Sequence, residues 1–301
     1  MQEKFNRNYK LIVETVTPIP FITAGTRSVE IALPFTMEFD IKRSLSGAAN
    51  SSVIRIYNLK PETRNQILKT FYDIGNYKKV TLRAWYGETL NFPMVFTGNV
   101  SQAFSVRQGN NFITQIQAYD GGFAYVNSRL NLSVPKTGAT SNRSIIESAV
   151  DSLSAYGVSR GAIGNYPGNV EKGYVACGNT TEILSNELTG NGFFIDNGRA
   201  NCLREDEYIY DSVTPTINSN SGLLGTPVRE QGWVIVETLF EPQAYVGQRV
   251  FLESTTEKNY NGAYKVVSIH HKGIISEAVC GSATTTFQLL GNKSLIAVRP
   301  G

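Results

Sequence analysis

Gly157, Ser159 and Gly161 have the spacing of a nucleophile elbow, the tight turn that presents a catalytic serine in many hydrolases. Such a turn needs a strand before the serine and a helix after it. Here the pattern before Ser159 is helical, and the glycine-rich segment after it predicts a loop. The sequence therefore favours a chance match over a catalytic serine.

The two histidines of the chain, His270 and His271, are adjacent in a segment with the pattern of a strand. Neighbouring residues on a strand point to opposite faces, so the two rings cannot bind one metal ion together. Either could act as a lone general base, but no carboxylate stands near it in the sequence. We predict that both are ordinary strand histidines. The chain therefore offers few residues for histidine-dependent catalysis.

Glu205, Asp206 and Glu207 form an acidic run that raises the question of glycoside hydrolysis. That reaction needs two carboxyl groups set across a cleft at a defined separation, and sequence neighbours rarely provide it. A solvated loop at the end of a strand is the favoured interpretation of the run.

Cys177, Cys202 and Cys280 are odd in number and widely spaced, which disfavours a zinc site and a disulfide framework. We predict mostly buried thiols in a protein made in a reducing cytoplasm. No glycine-rich phosphate loop precedes a helix, so nucleotide binding has no support. The prediction is therefore a protein without catalytic residues, metal or cofactor, and not an enzyme.

The composition is that of an ordinary globular protein: 301 residues, 41% hydrophobic, 18% charged, with a net charge of +3. No block of Lys and Arg supports specific binding of nucleic acid, although passage of DNA through a channel needs only low affinity. No run approaches the ~18 apolar residues of a membrane span, and the N-terminus lacks the apolar core of a signal peptide. We predict no membrane insertion. The 15 Tyr and 15 Phe suit a sugar-binding groove or, more simply, packing.

Three regions differ in their patterns. The first, to about residue 130, has strand patterns and one helix that opens at Pro61. The predicted strands are 9–15, 28–33, 35–41, 52–59, 80–87, 92–100 and 112–121, and the helix is 61–71.

The second region is mixed: Ser141 or Asn142 caps one helix, Asn179 caps another, and Asn197-Gly198 turns a hairpin. After the Ser- and Asn-rich segment 212–221, strands are predicted at 222–228, 232–242, 246–254 and 261–271.

The order of these pieces resembles the central hub proteins of bacteriophage tail baseplates. In the first region the resemblance rests on a strand ending Ile-Tyr-Asn-Leu, a Pro-Glu-Thr-Arg helix start, a Tyr-Gly strand end, a Phe-x-Gly-x-Val strand and an Asp-Gly end, at residues 56–59, 61–64, 86–87, 96–100 and 120–121. In the last region it rests on 222–290, with a glycine-rich entry, a valine-rich strand and an Asn-Gly-x-Tyr hairpin.

The resemblance implies a mainly β protein in which two tail-tube-like β-barrel domains flank a small mixed α/β middle module. The corresponding division of the chain is 1–130, 131–211, a linker at 212–221, and 222–301. The two barrel regions show no obvious mutual repeat in sequence, and only the first carries the Pro61 helix in recognisable form.

The implied function is structural. Such hubs form a homotrimeric ring that adapts a six-fold tail tube to a three-fold spike and surrounds a channel for DNA. The implied partners are the tail tube protein, the spike protein and other baseplate proteins, in a virion tail assembled in the host cytoplasm. The alternatives are a tail-tube or distal-tail protein, a tail-associated glycan hydrolase and a carbohydrate-binding protein.

Overall fold

The computed structural model describes residues 4, 6–16, 28–69, 77–87, 93–136, 140–188, 192–291 and 294–300. These residues are mainly β, as predicted. The strands are β1 (Arg7–Val16), β2 (Ser28–Ala32), β3 (Met37–Ser44), β4 (Ser51–Tyr57), β5 (Tyr77–Tyr86), β6 (Met94–Gln108), β7 (Asn111–Tyr119), β8 (Leu130–Val134), β9 (Ser159–Ile163), β10 (Tyr174–Gly178), β11 (Phe193–Asp196), β12 (Arg199–Cys202), β13 (Glu207–Ile209), β14 (Thr216–Ile217), β15 (Leu223–Glu230), β16 (Trp233–Leu239), β17 (Arg249–Leu252), β18 (Gly262–Ile275), β19 (Ala283–Gly291) and β20 (Ile296–Val298). The α-helices are α1 (Pro61–Ile67), α2 (Gly122–Asn127), α3 (Asn142–Ser152) and α4 (Thr180–Glu187).

Thirteen of these strands form one sheet that runs through both β regions. Its main path is β15-β16-β19-β18-β3-β4-β7-β6-β5-β1-β2, with β14 and β17 attached beside β18. Within the described residues this path has two ends and does not close on itself. The prediction of two β-barrel domains is therefore not confirmed, and the two regions share a ladder of backbone hydrogen bonds.

The sheet contains an internal repeat. The antiparallel order β3-β4-β7-β6-β5 in residues 37–119, the N-terminal repeat, recurs as β15-β16-β19-β18-β17 in residues 223–291, the C-terminal repeat. Each long strand has a register shift in its pairing with the next strand along the chain, between Val100 and Gln102 in β6 and between Val266 and Ser268 in β18. The repeat is therefore present in strand order and in bulge position, although it is not obvious in the sequence.

The two repeats meet where β18 pairs with β3, in an antiparallel ladder from Ser268↔Ser44 to Ile275↔Met37. The first part of β18 pairs on the same edge with β17, from Gly262 to Lys265. Because β18 is long, its first part pairs within the C-terminal repeat and its second part pairs with the N-terminal repeat.

Three hydrophobic cores lie under this framework. The first fills the N-terminal repeat but includes Phe240 and Ile275 from the C-terminal repeat. The second fills the C-terminal repeat and includes Leu45, which directly follows β3. The third belongs to the middle module, where α2, α3 and α4 pack with β9, β11 and β12. Because the first two cores exchange residues, the junction between the repeats is packed as well as hydrogen-bonded.

Several local predictions are confirmed. Ser141 caps α3, with its side chain accepting from Ser144 N, and Asn179 caps α4 by accepting from Thr181 N and Glu182 N. Asn197 and Gly198 both have positive φ, as the two-residue turn between β11 and β12 requires.

Other local predictions are wrong. Helix α1 ends at Ile67 and not at the predicted Phe71, because Leu68 is extended and Lys69 then pairs with Ala103 of β6. Phe71, like the rest of 70–76, lies outside the described residues. The loop predicted after Ser159 is strand β9, which pairs in parallel with β12 across forty positions of chain and so leaves no local signal.

The segment 212–221, predicted as a linker, contributes β14 to the sheet, where Thr216 pairs with Phe251 and Ile217 with Leu252 of β17. Ile217 is buried in the second core. The division of the chain into domains stays a prediction.

Candidate assembly site

Arg43, in β3, joins the three regions of the chain. Its guanidinium donates twice to Asp196 of the middle module, from Nε to Oδ1 at 2.8 Å and from Nη2 to Oδ2 at 2.5 Å. Nη1 donates to Val95 O in the N-terminal repeat at 3.1 Å and to Ala244 O in the C-terminal repeat at 3.0 Å. The Arg43 side chain is 1% exposed and that of Asp196 is 7% exposed, so this ion pair is desolvated and satisfied by four donations.

A second buried carboxyl, Asp120, lies beside this pair. Asp120 Oδ1 accepts from Gly198 N at 2.9 Å, and Asn50 Nδ2 donates to Ile195 O and to Asp196 Oδ1. Burial, and after it the charge of Asp196, raises the pKa of Asp120 to about 7, against the lowering effects of Gly198 and Arg43. Asp120 Oδ2 has no hydrogen-bond partner among the described residues. The junction therefore contains one carboxyl that titrates near neutral pH.

Glu207 forms a second buried junction, between β13 and the segment after β9. Its Oε1 accepts from Asn165 N at 2.7 Å and its Oε2 accepts from Arg204 N at 2.9 Å. Gly164 is required here, because a Cβ at that position would lie 1.8 Å from Glu207 Oε2. Glu207 is 1% exposed, so the prediction of a solvated loop is wrong for this residue. The acidic run gave no signal that one member binds the backbone amide of Asn165, 42 positions away.

Lys265, in β18, extends this junction to the C-terminal repeat. Its Nζ donates to Arg204 O at 2.9 Å and to Glu205 O at 3.3 Å. Burial lowers the pKa of Lys265 to about 8, although the nearby carboxylates of Glu207, Asp206 and Glu205 raise it. The middle module is thus bound to both repeats through buried charged side chains.

The two histidines point to opposite faces of β18, as predicted. His270 Nε2 lies 2.9 Å from Asp40 Oδ1 on the half-exposed face of the ladder. Its carboxylate neighbour comes from β3, which sequence proximity could not show. His271 is buried, with Nδ1 2.8 Å from Thr285 Oγ1 and its ring edge-on to Phe240. Burial, then the charges of Arg43 and His270, holds the pKa of His271 well below its ordinary value.

The remaining chemical candidates do not converge on one site. Ser159 begins β9, and its hydroxyl donates to Gly198 O at 3.2 Å. Cys202 is buried, but Cys177 and Cys280 are exposed, so the prediction of mostly buried thiols is wrong for two of three. In the described ranges, no group of three or more His, Cys, Asp and Glu side chains could hold a metal ion.

Two strand edges have apolar side chains in solvent. Within the described residues β15 pairs only with β16, and Leu224 and Val228 on it are 37% and 58% exposed. The second half of β6 pairs with β7 on one side, and there Val106 is 44% exposed. Exposed apolar strand edges are sites where sheets continue into a partner.

The model of the family Baseplate hub gp41 matches residues 21–276 of this chain. The chain belongs to the baseplate hub gp41 family. This result confirms the resemblance found in the sequence, and it makes the protein a member of a structural phage tail family. No curated protein sequence matches the chain significantly.

Solved structures with the same fold include phage tail proteins. The 43 kDa tail protein of prophage MuSo2 from Shewanella oneidensis is 10% identical, with a TM-score of 0.56 over 93% of this chain and 97% of that one. The c3393 protein of E. coli, a type VI secretion component described as similar to the T4 tail proteins gp27 and gp5, is 10% identical, with a TM-score of 0.56 over 89% and 77%. A chain of the Francisella PdpA–VgrG complex is 6% identical, with a TM-score of 0.53 over 95% and 58%.

Among the residues that the structure describes, every helix is too short or too polar to cross a membrane.

Proposed function

We propose that this chain is the structural hub subunit of a phage tail baseplate and that three copies form a ring. The family match over residues 21–276 carries the proposal. The internal repeat supports the ring: three copies of a chain with two equivalent five-stranded sets present six similar sets. Such a ring matches a six-fold tail tube on one side and a three-fold spike on the other.

The proposed partners are the tail tube protein, the spike protein and other baseplate proteins. The likeness to a chain of the PdpA–VgrG complex supports a place inside a multi-protein assembly. The ring surrounds a channel through which phage DNA passes, and the mild net charge of +3 suits passage without specific binding. The protein is synthesised in the host cytoplasm and ends in the virion tail.

We also propose that the protein has no catalytic activity. The acidic run does not supply a carboxylate pair across a cleft, because both oxygens of Glu207 accept from backbone amides in a buried site. The runner-up remains a tail-tube or distal-tail protein, which shares the structural class.

Native mass spectrometry of the purified chain over a range of concentrations tests the proposal. A trimer is the expected result, and a hexamer would assign the chain to the tube instead. A monomer would overturn unaided assembly, and co-expression with the spike protein would then decide whether the ring needs a template.

A further inference from the structure

The internal repeat gives residue-by-residue equivalences between the two halves of the sheet. Aligning the bulges places Gln102 of β6 on Ser268 of β18, so that Val106 is equivalent to Lys272. Gln117 of β7 pairs with Gln102, and Gln288 of β19 pairs with Ser268. The two glutamines therefore occupy equivalent positions. Two identical glutamines at one equivalent position support the alignment.

The same path continues to the outer strands. Gln117 pairs with Val53 and Gln288 pairs with Ile235. Val53 in turn pairs with Asp40 of β3, whereas Ile235 pairs with Val228 of β15. Val228 is therefore equivalent to Asp40.

The two repeats differ in what lies beyond these strands. Lys272 of β18 is directly opposite Asp40 of β3, and this cross-strand pair belongs to the ladder that joins the repeats. Within the described residues, the equivalent positions Val106 and Val228 have no such partner strand, and both are exposed apolar residues, at 44% and 58%. One edge of each repeat is thus paired inside the chain: β3 of the N-terminal repeat pairs with β18 of the C-terminal repeat. Among the described residues the leftover edges are the second half of β6 in the N-terminal repeat and β15 in the C-terminal repeat.

We propose that the leftover edges pair with each other between copies: β6 of one chain with β15 of the next, in the register of the β18–β3 ladder. Val106 of one copy then lies opposite Val228 of its neighbour, with Ser105 opposite Arg229 and Phe104 opposite Glu230. The apolar pair takes the place of the Lys272–Asp40 pair, and it removes two exposed side chains from water.

The available lengths of the two edges agree with this register. Ala103 is already paired on its free side, since Lys69 N donates to Ala103 O at 2.9 Å and Ala103 N donates to Lys69 O at 3.0 Å. The residue of β15 that would lie opposite Ala103 is Gln231, which is already in the turn after Glu230. In the proposed register the intermolecular ladder begins at Phe104, next to the Lys69–Ala103 bridge.

The contact joins two different edges, so it is heterologous and propagates around a ring. The inference rests on the proposed ring for the number of copies, and it adds which edges meet and in what register.

Disulfide trapping tests the register. In a Cys177→Ser, Cys280→Ser background, the double variant Val106→Cys, Val228→Cys is oxidised, because directly opposed antiparallel residues have the Cα spacing that a disulfide accepts. We expect covalent dimers and trimers on a non-reducing gel. The variant Asp40→Cys, Lys272→Cys has the same geometry inside one chain and should form a disulfide that leaves a monomer. Each single variant at 106 or 228 should form no covalent oligomer.

A charge exchange provides an independent test. Val106→Lys and Val228→Asp each place an unpaired charge at the contact, so either variant alone should lower the trimer fraction at least tenfold. The double variant recreates the Lys272–Asp40 pair between copies and should restore the trimer. Both positions are exposed, and circular dichroism should show all three variants folded.

The possible results separate this inference from the proposed function. A trimer in native mass spectrometry without the 106–228 cross-link, or without rescue by the double variant, would overturn the inference and leave the ring standing. A monomer at every concentration, also without the cross-link, would overturn the inference and leave only spike-templated assembly. Cross-linked trimers together with rescue would establish the edge pairing.

Discussion

The N-terminal and C-terminal repeats share a strand order and a bulge, but they have different residue types at several equivalent positions. Lys265 stands just before the bulge of β18 and donates to the backbone of the middle module at Arg204 O. Its equivalent in β6 is Asn99, whose Oδ1 accepts from Phe123 N of α2 at 2.9 Å. The same strand position thus binds each repeat to a segment outside it: Lys265 binds Arg204 of the middle module with a buried cation, and Asn99 binds α2 with an amide.

Two further pairs of equivalent positions show where the repeats agree and where they differ. Thr285 and Thr114 are equivalent, and each contacts the strand across from it, at His271 Nδ1 and at Ser105 Oγ respectively. Arg43, however, is a buried arginine with four donations, whereas its equivalent Gln231 is a turn residue with φ of 47°. The two repeats therefore share the contact at the paired threonines but differ in β3 and β15. Strand β3 is covered by β18, whereas within the described residues β15 has no partner strand on its outer side.

The largest expected effect comes from removing the covered arginine. Arg43→Met leaves Asp196 as a buried carboxylate without its cation, which typically costs about 3–5 kcal/mol of the free energy of unfolding. Urea denaturation of Arg43→Met against the parent protein measures this loss. The matched control is Arg55→Met on β4, whose side chain is 46% exposed, and it should cost less than about 1 kcal/mol. Equal losses for the two variants would mean that Arg43 does not hold the regions together.

The next effect depends on pH. Because the folded pKa of Asp120 is about 7 against an ordinary 3.8, the native state binds a proton more tightly than the unfolded chain. This contribution to stability is fully present below pH 3.8 and is lost as the pH rises towards 7. Asp120→Asn keeps an oxygen for Gly198 N and removes the charge, so it should stabilise the protein at pH 8, by at most on the order of 4 kcal/mol.

Thermal unfolding of Asp120→Asn and the parent at pH 5 and pH 8 checks this expectation. The gain in melting temperature should be larger at pH 8 than at pH 5. A gain of the same size at both values would show that Asp120 is not the titrating group.

An intermediate effect is expected at Glu207, which joins β13 to the segment after β9. Glu207→Gln replaces one acceptor oxygen by an amide NH₂ that faces a backbone donor, which should cost about 1–3 kcal/mol. Glu205→Gln, an exposed neighbour in the same run, should change the stability by less than about 0.5 kcal/mol. Chemical denaturation measures both variants. A neutral Glu207→Gln would restore the interpretation of this residue as part of a solvated loop.

The smallest effect is expected on the exposed face of the β18–β3 ladder. Asp40→Asn weakens the contact with His270, whose side chain is 35% exposed, and should cost less than about 1 kcal/mol at pH 7. Differential scanning calorimetry of Asp40→Asn and Arg43→Met compares the loss of stability on the exposed face of β3 with that on its buried face. A loss for Asp40→Asn as large as that for Arg43→Met would contradict the division of β3 into a buried and an exposed face.

The sequence by itself determined the elements that depend on short-range signals. The cap at Asn179, the turn at Asn197-Gly198 and the first helical position of Pro61 follow from the conformations that these residues adopt locally. The alternation of apolar residues predicted most of the longer strands, because one face of each is buried. The order of these elements was enough to identify the family.

Only the tertiary structure decided which strands meet. The β18–β3 ladder joins residues more than two hundred positions apart, and strand patterns carry no record of their partners. For the same reason the sequence did not show that Glu207 binds the amide of Asn165, that Arg43 reaches Asp196, or that His270 has a carboxylate beside it. Buried polar side chains find their partners across the fold, and their burial is a property of the packed chain, which no local window of sequence contains.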